Sequence, residues 1–127
     1  MNKEKMLKLA SCIENVPEKG FNMGSWASKD LVSQDDLENA CGTTCCIAGW
    51  QQAFRGRTIN IIGNVFERGK FVGEAPDLCG RDLELTRDER RVLFHREDWP
   101  TEAGGRDFPN TPKDAADRIR YMVETGK

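Results

Sequence analysis

No apolar run in this 127-residue chain approaches the roughly 20 residues that a bilayer-spanning helix requires. The opening stretch, MNKEKMLKLASCIE, sets lysines early, but Lys8 interrupts its apolar residues before a signal-peptide core can form. No membrane partner is expected, and a cytoplasmic location is the default. Excess basic charge is also missing: the formal net charge is −2, and Arg87, Arg90 and Arg91 stand among Asp88 and Glu89. That balance argues against nonspecific nucleic-acid binding, although folding can still assemble a local basic patch. The chain has no Cys-x-x-Cys pair, no P-loop, no dinucleotide-type glycine pattern and no internal repeat. No cofactor is expected.

What is present suits a single domain over residues 1–127. Hydrophobic residues make up 38% and charged residues 31% of the chain, and three tryptophans and six phenylalanines supply bulk for burial. At this length folding removes roughly two-thirds of the unfolded chain's surface from water. The five cysteines are odd in number, which without an export signal favours free thiols over a disulfide framework.

Residues 3–14 place Met6, Leu9, Ala10 and Ile13 at helical spacing, and Val16-Pro17 ends that helix. Phe21, Met23 and Trp26 pin the glycine-containing loop that follows. Residues 27–40 are polar and acidic and read as an inserted loop whose spacing does not match an EF-hand. Residues 57–74 carry β-branched and aromatic residues broken by Gly63-Asn64 and by Glu67 to Lys70, the pattern of a hairpin or a long loop insertion. Helical patterns resume at 75–83, then from Leu85-Thr86 with Thr86 and Glu89 in capping-box spacing and Val92, Leu93 and Phe94 as apolar surface, a unit closed by Trp99-Pro100, and again after Thr111-Pro112. Ala115, Ala116, Ile119, Met122 and Val123 form the last helix's inward face, and Gly126 ends it.

The expected centre is TTCCIAGWQQAF, residues 43–54, a buried helix capped by Thr43 or Thr44 and stopped by Gly56. Cys46, Ile47, Trp50, Ala53 and Phe54 make one stripe, and Cys41, Cys45 and Gly49 a line of small residues. The fold expected is mainly α: a compact small helical domain around this helix, with a minor β element and an α+β arrangement as the variant.

Three kinds of chemistry have candidate residues. Cys41, Cys45, Cys46, Cys79 and His95 contain the ligand types of a tetrahedral zinc site without its usual short spacings. Cys45 or Cys46 in a helix first turn favours thiolate, with His95 as base, but buried cysteine more often packs. Arg55, Arg57 and Arg106, the last in a glycine-rich loop before a helix start, could bind an anion such as a nucleotide.

The blocks FNMGSW, CGTTCCIAGW, LELTRDERRVLF, Trp99-Pro100 and TPKDAADRI together resemble a group of small bacterial and bacteriophage proteins. That group is marked by a CGT-x-x-C-IAGW-like helix and a final T-P-x-x-A-A helix. The resemblance covers about half the chain and implies a compact helical fold, residence in a bacterial host cell and a phage-type accessory role. The expectation is a non-enzymatic protein that binds and modulates a host macromolecule, for example as an anti-CRISPR inhibitor. Trp26, Phe71 and Trp99 are the candidate anchors, since aromatics dominate interface energetics. The alternatives are capture of a small anion and a cysteine-dependent hydrolase.

Overall fold

The computed structural model describes residues 1–17, 21, 46–60, 62–95 and 111–126. Among these run helices α1 (Lys3–Glu14), α2 (Ile47–Phe54), α3 (Ala75–Asp82), α4 (Arg87–Phe94) and α5 (Pro112–Thr125). Strands β1 (Thr58–Ile59), β2 (Asn64–Glu67) and β3 (Lys70–Glu74) lie between α2 and α3. The domain is mainly α with a small β part, and the insertion at 27–40 lies outside the described residues.

Local signals account for most helix ends. Asn2 caps α1 by accepting from the Lys5 amide at 3.0 Å. Thr86 and Glu89 form the full capping box, each side chain accepting from the other's backbone amide. Thr111 accepts from the Asp114 amide ahead of Pro112, and Gly126 closes α5 at φ +78°, a left-handed conformation that costs an L side chain energy.

Helix α2 departs from expectation at its start. It begins at Ile47 rather than at residue 43, because Cys46 is extended (φ −83°, ψ −175°) and serves as its N-cap. That conformation turns the thiol into the core, where Cys46 is 2% exposed, and its side chain makes no capping hydrogen bond. The expected caps Thr43 and Thr44 lie outside the described residues. The burial of the helix is as expected: Ile47, Ala48, Trp50 and Ala53 are fully enclosed. Truncating a tryptophan so placed typically costs about 3–5 kcal/mol.

Residues 57–74 form a three-stranded antiparallel meander in the order β1-β2-β3, one strand more than a hairpin. Arg68 and Gly69, at φ 53° and 80°, make the two-residue turn between β2 and β3. Ile59 and Val65 face the core, fully buried. Val65 pairs with Gly73 but Phe66 with Phe71, so Val72 is the extra residue of a bulge. The bulge breaks the in-out alternation, and adjacent Phe71 and Val72 are both exposed, at 59% and 37%.

The core joins α1 and α5, whose facing stripes are Met6, Leu9, Ala10 and Ile13 on one side and Ala115, Ala116, Ile119 and Met122 on the other. Glu14 and Arg120 lock the two helices at their rims, with Arg120 donating at 2.7 and 3.2 Å. Arg118 shares the inward stripe of α5 although charged. It is fully buried, donates to the Val92 carbonyl at 3.2 Å, and lies 5.9 Å from the Tyr121 ring, and burial pushes its pKa down to about 10.

Candidate functional site

The middle of α2 is where the apolar pattern breaks. Gln51 and Gln52 stand inside an otherwise hydrophobic helix, and both are buried, Gln52 completely. Buried amides need partners, because an unsatisfied one carries its full desolvation cost. Asp82, at the end of α3, supplies them: its Oδ2 accepts from Gln51 Nε2 at 3.3 Å and from Gln52 Nε2 at 3.2 Å. Gln52 Nε2 also donates to Gln51 Oε1. Gln52 Oε1 in turn accepts from Arg57 Nη1 at 2.7 Å.

Asp82 is also the meeting point of two cations. Arg55 Nε lies 3.4 Å and Arg57 Nη1 3.8 Å from its Oδ2, and Arg57 reaches Glu67 of β2 at 3.9 Å. Four side chains from α2 and the turn after it, Gln51, Gln52, Arg55 and Arg57, thus converge on one carboxylate oxygen of Asp82.

Gln51, Arg55 and Asp82 of this cluster line a groove of about 260 Å³ between α1, α2 and the end of α3. Leu9, Phe54 and Leu83 give the groove an apolar floor, while Lys5, Lys8 and Arg55 stand around it. The polar residues on its inner side are Gln51 and Asp82. An apolar floor ringed by cations has the chemistry to hold a small organic anion.

The structure places the other candidates as follows. Cys46 and Cys79 are buried free thiols. Burial pushes the Cys46 pKa up to about 11, outweighing the amides of Gly49, Ala48 and Cys46 itself, which favour the thiolate. Cys79 is raised as well, by burial first and then by the charges of Cys46 and Asp82. His95 is exposed at the end of α4 and lines a different cleft, one that Cys46 does not line. Cys46 therefore lacks the open, thiolate-favouring surroundings of a nucleophile. Among the described residues no three His, Cys, Asp or Glu side chains are grouped as a metal site would need.

Arg55 and Arg57 are brought together, on Asp82. Phe71 is exposed on β3, edge-on to Phe66 at 6.0 Å. Cys41, Cys45, Arg106, Trp26 and Trp99 lie outside the described residues. Among the described residues, no helix is long and apolar enough to cross a membrane.

The sequence reading missed Gln51, Gln52 and Asp82. The signal was there in part, since two adjacent amides in a buried helix demand polar partners. Nothing in the sequence order, however, pointed to a carboxylate thirty residues away. No protein-family model, no curated protein and no solved structure matches this chain.

Proposed function

We propose that the protein is a non-enzymatic accessory protein that binds a partner macromolecule through the β2–β3 face. The observation that carries this reading is the bulge, which sets Phe71 and Val72 side by side in solvent on a strand at the edge of the sheet. Ile62, 68% exposed in the turn before β2, adds apolar surface from the same meander. An edge strand can extend its hydrogen-bond ladder into a partner, and an exposed aromatic provides an anchor. In the phage-type setting implied by the sequence resemblance, the partner is a host protein, and inhibition of a host defence complex is the concrete form.

The test compares tagged wild-type protein with Phe71→Asp in pull-downs from host lysate, beside native mass spectrometry of each. A stoichiometric host protein retained by wild type and lost with Phe71→Asp is the expected result. Equal recovery by both, or no partner at all, overturns the reading.

The groove beside Asp82 favours a second reading, capture of a small anion such as a nucleotide by Lys5, Lys8 and Arg55. A small molecule retained in native mass spectra and released by Arg55→Gln would support it. Cysteine-dependent hydrolysis at Cys46 has no comparable support, given its burial, and Cys45 lies outside the described residues.

A further inference from the structure

Helix α4 carries three arginines on one face. Arg87, Arg90 and Arg91 fall at positions i, i+3 and i+4, and His95 extends the Arg87–Arg91 row by one more turn. Together they form one wall of a cleft of about 450 Å³, whose opposite wall includes Pro76 and Asp77 of α3. Among the described residues the three arginines share the cleft with one carboxylate. Asp77 pairs with Arg90 at 3.6 Å, and among the described residues no ion pair is formed by Arg87 or Arg91.

Among the described residues the nearby acids do not offset this row. Glu89 turns back to accept from the Thr86 amide, and neither it nor Asp88 lines the cleft. Arg90 is held in place: its Cγ, Cδ and Nε run over Gly80 so closely that a Cβ there would lie 2.1 Å from Nε. That Nε is buried without a hydrogen-bond partner. The arrangement is unfavourable for α4 by itself. Like charges four residues apart repel, and Arg87 sits in the first turn, where the macrodipole is positive. A bound polyanion relieves both.

We propose that the α3–α4 cleft is a binding site for a polyphosphate group, carried by a nucleotide or by inorganic polyphosphate. Each guanidinium fork matches a phosphate in two-point fashion, and several linked phosphates supply the charge density that three arginines call for. A single carboxylate would satisfy only one of them. The volume lies within the roughly 300–1,000 Å³ of small-ligand sites. A long polynucleotide would need a continuous basic track, and the chain's net charge is −2. The site is distinct from the groove at Arg55 and from the Phe71 face, so it stands or falls independently of both.

Calorimetric titration of the full chain at low ionic strength tests it, with inorganic tripolyphosphate, ATP and a single-stranded oligonucleotide as probes. Tripolyphosphate or ATP should bind wild type and bind Arg87→Gln/Arg91→Gln at least about tenfold more weakly, as expected for lost charge-assisted pairs. Both substitutions are at exposed positions, and thermal melting checks that the variant is folded. ATP binding more tightly than tripolyphosphate assigns a nucleotide, and equal binding assigns the polyphosphate chain alone. Lys3→Gln/Arg81→Gln removes the same charge outside the cleft and should leave binding unchanged. The proposal is overturned if neither probe binds, if the control variant loses as much affinity as the cleft variant, or if the oligonucleotide binds more tightly than both.

Discussion

Arg57 donates to the Oε1 of Gln52 at 2.7 Å, and both residues turn to the same oxygen of Asp82. The bond joins a cation in the turn after α2 to an amide with no solvent access, so Arg57 satisfies a Gln52 acceptor that water cannot reach.

Gln52→Leu keeps the bulk of the side chain but leaves Arg57 without its acceptor and Asp82 without one donor. A loss of about 1–3 kcal/mol is expected from stranded buried polar groups. Urea denaturation of both proteins measures it. An unchanged midpoint would mean that the network contributes nothing to stability.

The thiol of Cys46 should be inert in the folded protein. With its pKa pushed up to about 11, it is neutral at pH 8, and at 2% exposure it is also shielded from reagents. Alkylation with iodoacetamide followed by peptide mapping should show Cys46 and Cys79 labelled only after unfolding, with Cys12, which is partly exposed, labelled first. Because the folded value is raised, the corresponding stability is complete below the ordinary thiol value of 9.0 and is lost as pH rises towards 11. Rapid labelling of Cys46 in native protein would reopen the hydrolase reading.

Glu14 gives the opposite pH dependence. The hydrogen bond from Arg120 holds its carboxyl below the ordinary value of 4.5, so the pair stabilises the protein above that value. The contribution is lost as pH falls through 4.5 and on through the lower folded value. Glu14→Gln should melt lower than wild type at pH 7, and the gap should close in acid. A gap that persists at pH 3 would assign the effect to packing between α1 and α5 instead of charge.

The sequence and the structure agree most closely where the cause is local. Helix α1 covers the residues its periodicity marks, because an amphipathic stripe needs only one apolar partner to define its inward side. The capping box at Thr86 and the Thr111-Pro112 start are formed within a few residues and need no distant contact. Helix α2 agrees in its burial and not in its first turn. The chain conformation at Cys46 is decided by where the thiol packs, a tertiary matter that capping propensity does not see.

The candidate sites divide along the same line. The packing of Cys46 and Cys79 and a small β element after α2 were legible as sequence pattern. The exposure of Phe71 beside Val72 was not, since it depends on a bulge set by strand register. Arg118 shows the same limit, a charge whose place on the inward stripe of α5 is visible in its spacing but whose burial rests on the neighbouring helix.

By itself, then, the sequence determined where most helices start and stop, α2 excepted, and which residues are apolar enough to be enclosed, because those depend on neighbours a few positions apart. Only the tertiary structure decided which polar groups meet. Asp82 joins Gln52 across thirty residues, and the arginine face of α4 confronts Pro76 and Asp77 from another helix. Such meetings arise from helix packing, and packing is set by the shape of the whole core.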